Sequence, residues 1–137
     1  MSKKYSEKTC PVCGNVSRRR GLHCSQTCVA KPKRDKKIKE WLNGNHNGMR
    51  GKTSTAYWIK SYMIEQHGEN CVKCGWGKIN PHTNKVPIEL NHIDGDFTNN
   101  RPENLELICP NCHSLTDSYK GANKKEGRPR NKYYRGL

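Results

Sequence analysis

The sequence is short of what a large apolar core requires. Hydrophobic residues fill 31% of its 137 positions, and there is one phenylalanine. A chain of this length has room for one modest domain with extensions, so its core is small and something besides apolar burial must hold the fold. Long hydrophobic runs are missing too. None approaches the ~20 residues of a membrane-spanning helix, and no secretory leader precedes the first cysteine. No membrane partner is expected. Acidic residues are scarce, 12 Asp and Glu against 26 Lys and Arg, which leaves a net charge of +14.

That charge is unevenly placed. Residues 1–40 carry an excess of +9 and residues 120–137 one of +6, whereas residues 41–119 stand at −1. Two basic arms around a neutral middle suit a polyanion, and nucleic acid is the first choice. The candidate phosphate contacts are Arg18, Arg19 and Arg20, then Lys33 and Arg34 in the run Lys31 to Lys37, and Arg128 and Arg130 in the C-terminal arm. For the three consecutive arginines a solvated basic loop is an equal alternative. Gly127-Arg-Pro-Arg130 looks like the core of an AT-hook, which lies in A·T-rich minor grooves; a disordered solubilising tail is the competing reading.

Cysteine, by contrast, is abundant, and its spacing is informative. The eight cysteines form four close pairs: Cys10 with Cys13, Cys24 with Cys28, Cys71 with Cys74, and Cys109 with Cys112. Thiols two or three residues apart read as metal knuckles rather than as a disulfide framework, and they place the protein inside a cell. Two structural zinc ions are therefore expected, one on Cys10, Cys13, Cys24 and Cys28, the other on Cys71, Cys74, Cys109 and Cys112. Each first pair is followed directly by glycine, Gly14 and Gly75, which lets backbone amides turn toward the thiolates. A zinc ribbon or treble-clef-like finger is the expectation at the N-terminus.

Between the fingers the pattern predicts helices. Pro32 breaks a basic linker, and Asp35 is a candidate N-cap for a helix carrying Ile38, Trp41 and Leu42 on one face and ending at Asn43-Gly44. A second helix is predicted from Thr53 or Ser54 to His67, with Ile59, Tyr62 and Met63 inward and Gly68 as its stop. Val86 to Ile93 reads as a strand, Asp94 to Asn100 as turn chemistry, and Leu105 to Ile108 as a second strand. Pro110 suits the first turn of a following helix, on which Cys112 and His113 point about 100° apart.

These residues carry a resemblance. Asn91-His92-Ile93-Asp94-Gly95, Glu103-Asn104-Leu105 and Cys109-Pro-Asn-Cys112-His113 resemble the HNH, or ββα-metal, endonuclease family, with twelve residues from His92 to Asn104 and nine more to His113. The upstream helices, Cys74-Gly-Trp76 and Thr116-x-x-Tyr119-Lys-Gly121 are similar to its phage-type branch, including free-standing homing endonucleases, and the likeness spans residues 38–123. It implies a small, zinc-stabilised α+β protein: a ββα-metal finger with flanking helices and a separate N-terminal four-cysteine zinc finger. His92 is then the general base on the attacking water, and His113 and residue 91 hold a catalytic divalent cation, magnesium or else manganese. Asn104 holds the loop that carries His92, and the products bear 5′-phosphate and 3′-hydroxyl ends. Many family members have Asp or His where this chain has Asn91, a neutral ligand; Asp94 or Asp96 is an alternative source of a carboxylate.

The expected organisation is a four-cysteine zinc finger with basic linker over residues 1–34, helices plus nuclease domain over 35–119, and a basic tail over 120–137. The expected activity is metal-dependent nicking or cleavage of double-stranded DNA, with no small-molecule substrate. A monomer inside the cell is expected, in the host cytoplasm if the source is a phage. Two alternatives stand beside it: a zinc-dependent DNA-binding protein with a degenerate centre, and a packaging-associated nuclease active only with a partner.

Overall fold

A computed structural model describes residues 5–121. Arg128, Arg130 and the hook-like stretch around them lie outside those residues. Among the described residues there are three α-helices and three two-stranded antiparallel pairs, giving a small α+β architecture with two four-cysteine clusters. The chain parts into two compact units between Tyr62 and Met63.

The first unit begins with a zinc-type knuckle. Gly14 lies in the left-handed region at φ +75°, and its amide donates to the Cys10 carbonyl at 2.9 Å. The turn is flanked by β1 (Lys8–Thr9), paired antiparallel with β2 (Val16–Ser17). Helix α1 (Gln26–Leu42) follows, and it corrects the expectation of a helix starting after Asp35. Its N-cap is Ser25, whose hydroxyl oxygen accepts from the Cys28 amide at 3.2 Å. Pro32 sits inside the helix instead of breaking it. The missing proline N–H removes only the bond to the carbonyl four residues back, that of Cys28, and the cap fixes the first turn. The expected boundary after residue 34 therefore falls within α1.

The packing stripe on α1 is narrower than predicted. Ile38 and Trp41 are buried, whereas Leu42 is 47% exposed and belongs to the solvent side. Trp41 meets Trp58 and Tyr62 edge-on, both at centroid distances of 5.8 Å, and this aromatic cluster is the main apolar content of the unit. His46 packs edge-on against Trp58 and accepts from the Gly48 amide, a structural role. Residues expected to open the second helix form a small hairpin instead, β3 (Met49–Arg50) with β4 (Ser54–Thr55). Helix α2 (Tyr57–His67) starts after it, buries Ile59 and Met63, and stops at Gly68, which takes φ +81°.

The second unit repeats the knuckle. Gly75 donates to the Cys71 carbonyl at 2.7 Å and Cys71 to the Trp76 carbonyl at 2.8 Å, matching the bonds of Gly14 to Cys10 and Cys10 to Asn15. Strand β5 (Glu89–His92) pairs antiparallel with β6 (Leu105–Ile108), in a register running from Glu89 opposite Ile108 to His92 opposite Leu105. The strand begins three residues after the predicted start at Val86 because Pro87 has no N–H for the ladder. Val86 and Ile88 are still buried, as are Leu105, Leu107 and Ile108 of the hairpin. Helix α3 (Pro110–Ser114) opens with Pro110 and is capped by the Cys109 sulfur, which accepts from the Cys112 amide at 3.4 Å. The knuckle is stitched to the hairpin by the Val72 amide, 2.9 Å from the Leu107 carbonyl.

Leu107 is 1% exposed in a core of few side chains. Leu107→Ala is expected to cost about 2–5 kcal/mol. Urea unfolding of the zinc-loaded chain measures it.

Candidate functional site

In each cysteine cluster the four sulfurs lie within 4.8 Å of one another, and none is in a disulfide. A tetrahedral zinc with Zn–S of about 2.3 Å separates its sulfurs by about 3.8 Å. The observed separations are 3.3 Å for Cys13 to Cys24, 3.5 Å for Cys24 to Cys28 and 3.7 Å for Cys74 to Cys109. The donor sets fit zinc, and four thiolates would close each shell, as in a structural site.

The thiol electrostatics agree. Backbone amides, that of Cys24 foremost, bring the Cys10 thiol down to about 6. Burial pushes Cys71 up, but the amides of Cys109, Cys74 and Lys73 outweigh it and the thiol falls to about 6. Cys24, crowded first by the Cys13 sulfur and then by Cys28, rises to about 12, and Cys112 does so beside Cys74 and Cys109. In each cluster one thiol is thus brought down while a neighbour is pushed up, the opposition expected of crowded sulfurs that share a divalent cation.

The second cluster fixes the hairpin that bears the remaining candidates. Strand alternation puts Glu89 and Asn91 on one face of β5 and His92 on the other. On the first face, Asn91 is 5% exposed, and its Nδ2 donates to Glu106 Oε1 at 2.9 Å across the ladder. A carboxylate oxygen only accepts, so the amide nitrogen must face Glu106 and Asn91 Oδ1 is turned away from it. Lys73 holds the other Glu106 oxygen at 3.3 Å. A cavity of about 680 Å³ opens here, lined among others by Lys73, Asn91, Ile93, Asp94, Glu106 and Leu115. His113 is not part of that lining. Its Nδ1 pairs with the Glu89 carboxylate, which leaves Nε2 as the nitrogen that could hold a metal. A carboxylate behind the far nitrogen of a ligating histidine is a recurring device that sets tautomer and ring orientation.

His92 stands at the end of β5, where the chain enters a tightly bonded loop. Asn104, 9% exposed, spans that loop: its Oδ1 accepts from the Asp94 amide at 3.1 Å, and its Nδ2 donates to Asp94 Oδ1 at 2.9 Å and to the Asn99 carbonyl at 2.8 Å. Asp94 also accepts from the Asp96 amide at 2.8 Å and from Asn99 Nδ2 at 2.6 Å. These bonds, that from Asn99 first, hold its carboxyl down at about 2. Asp96 accepts from the Thr98 amide and hydroxyl. Both aspartates brace the loop, which is where their carboxylates are spent. His92 Nε2 is 2.8 Å from Oδ1 of Asn100, a side chain 3% exposed.

The arginine and lysine candidates are more dispersed. Arg18 is paired with Glu7 at 2.7 Å, while Arg19 and Arg20 are exposed on the loop. Lys33 is exposed and Arg34 half-buried, both on α1 and not on a linker. The sequence singled out neither Glu89 and Glu106 nor Asn100. The two glutamates gain meaning only from pairing register and from a contact 24 residues distant, and Asn100 read as ordinary turn chemistry.

No family model and no solved structure matches the chain. Among curated proteins it is similar to the H-N-H endonuclease F-TflIV of Escherichia phage T5, 36% identical over 76 residues. The match covers 53% of this chain and 32% of that protein, so the chain spans about a third of the relative's length. Among the described residues no helix is long and apolar enough to cross a membrane.

The depressed Asp94 carboxyl generates a prediction. A carboxylate whose folded value lies below the unfolded one, about 3.9, contributes stability that is complete above that value. The contribution is lost as pH falls through the folded value near 2. Acid titration followed by loop amide signals should show the 94–100 segment loosening between about pH 4 and 2. Asp94→Asn should remove this dependence.

Proposed function

We propose that the chain is an HNH endonuclease that hydrolyses phosphodiester bonds of double-stranded DNA with a divalent cation, producing a nick or a cut. The observation carrying it is one zinc-pinned hairpin that presents His92 at its end and a carboxylate-backed His113 on the following helix. Homology to an H-N-H endonuclease supports the same reading. The phage source of that relative supports its finer form, a homing-type enzyme acting inside an infected cell.

In this mechanism a phosphodiester lies across the end of β5. His92 takes a proton from water as its oxygen attacks phosphorus and the P–O3′ bond breaks, leaving 5′-phosphate and 3′-hydroxyl ends. Asn91 Oδ1 and His113 Nε2 are the donors for magnesium or manganese, an oxygen and an imidazole that suit such ions. When bound, the cation offsets charge on the phosphate and the leaving oxygen. Glu89 and Glu106 orient the two ligands, and Glu106 adds negative charge behind the neutral Asn91. Asn104 holds the loop after His92 in place. Arg19, Arg20, Lys33, Arg34 and the C-terminal arginines would grip the backbone in a salt-sensitive manner, Arg18 joining them when released from Glu7.

A second reading rests on Asn91 itself. Because its amide brings no charge, the same fold could serve as a DNA-binding zinc protein with a silent centre, or require a packaging partner. Plasmid incubated with the zinc-loaded chain and magnesium or manganese separates these. Relaxation of supercoiled DNA by wild type, reduced about 10²- to 10⁴-fold in His92→Ala, is the expected result. Glu89→Gln should weaken apparent metal affinity about 10- to 100-fold. Intact supercoils with retained gel shifts, in wild type and mutant alike, would favour the binding protein.

A further inference from the structure

We infer that Asn100 is the positioning residue that fixes the tautomer and orientation of His92, an inference resting on the nuclease reading for its catalytic meaning. The assignment follows from which atoms can donate. Asn100 Nδ2 lies 3.3 Å from the Phe97 carbonyl and 3.4 Å from that of Thr98. Carbonyl oxygens only accept, so the amide nitrogen faces them and Oδ1 faces the imidazole. That oxygen also only accepts. The contact at 2.8 Å therefore requires the proton on His92 Nε2. Neutral His92 then carries its lone pair on Nδ1, which has no hydrogen-bond partner among the described residues. Nδ1 is the nitrogen that takes the proton from water.

The surroundings explain why the contact is rigid. Asn100 is 3% exposed, its amide donates to the Thr98 carbonyl at 3.2 Å, and the neighbouring Asn99 carbonyl is held by Asn104 Nδ2 at 2.8 Å. Asn104 touches no atom of His92 in any bond described above, yet it acts on that ring through the chain Asn104, Asn99, Asn100, His92. An orienting partner behind a functional imidazole is the arrangement that sets which nitrogen works. Here the partner is a side-chain amide oxygen, which stays neutral and accepts only.

The test uses the full, zinc-loaded chain with ¹⁵N-labelled histidine. Two-dimensional ¹H–¹⁵N spectra of the neutral ring are expected to show His92 in the Nε2–H form, with its N–H proton visible through protection from exchange. Asn100→Ala should erase that proton signal while the zinc fingers keep their dispersed amide spectrum. Asn100→Asp, which keeps an acceptor oxygen in place, should restore it. On plasmid, Asn100→Ala should lower kcat about 10- to 100-fold with KM within about twofold, and Asn100→Asp should recover most of that rate. Wild-type His92 in the Nδ1–H form would overturn the inference, as would an Asn100→Ala chain with the signal and kcat of wild type. If wild type cleaves no DNA, the nuclease reading fails, and the spectra still decide the hydrogen bond.

Discussion

The fold is organised around two clusters of crowded sulfurs that a divalent cation would hold together. With few apolar side chains to bury, the chain brings four cysteines together twice, each time joining a glycine-turned knuckle to the start of a helix. Zinc binding to such a set contributes roughly 10–16 kcal/mol of apparent free energy, as large as the net stability of a typical domain. The second cluster has the greater consequence for function. Its cysteines lie before β5 and after β6, so one ion held there would close the loop that contains the whole hairpin, at the point where α3 begins.

From that fixed frame the site is built in two directions. One face of β5 carries Asn91 and Glu89, whose partners Glu106 and His113 come from β6 and α3. The strand end carries His92 into a loop whose polar side chains are bonded to one another and to the backbone. In a chain so short of apolar mass, hydrogen bonds of buried Asn91, Asn100 and Asn104 do the orienting that packing does in larger proteins. Each of these amides has its flip decided by a neighbour that can only accept or only donate. This gives the centre a defined donor geometry before any ligand arrives.

Part of this was legible in the sequence and part was not, for physical reasons. The cysteine pairs, the glycines after them, Pro110 at a helix start and the bounds of β6 are local features, and local chemistry determines them. The start of α1 is not local in this sense: Pro32 marks a break in the sequence pattern, whereas the helix runs through it from the cap at Ser25, beside the cysteines of the first cluster. The same local reading missed Glu89, Glu106 and Asn100. Their partners are supplied by strand register, by a helix 24 residues on, and by a loop folded back on its own strand. His92, Asn104 and His113 stood out through spacing and resemblance, whereas the residues that orient them emerge only in three dimensions.

In the proposed nuclease one hairpin would carry two metal sites of different character, a closed tetrathiolate and an open oxygen–nitrogen site. Anomalous diffraction from crystals of the zinc-loaded chain soaked in manganese tests this most directly. Zinc peaks within both cysteine clusters and a manganese peak in contact with Asn91 Oδ1 and His113 Nε2 are expected. Manganese bound away from both residues, or zinc missing from Cys71, Cys74, Cys109 and Cys112, would contradict it.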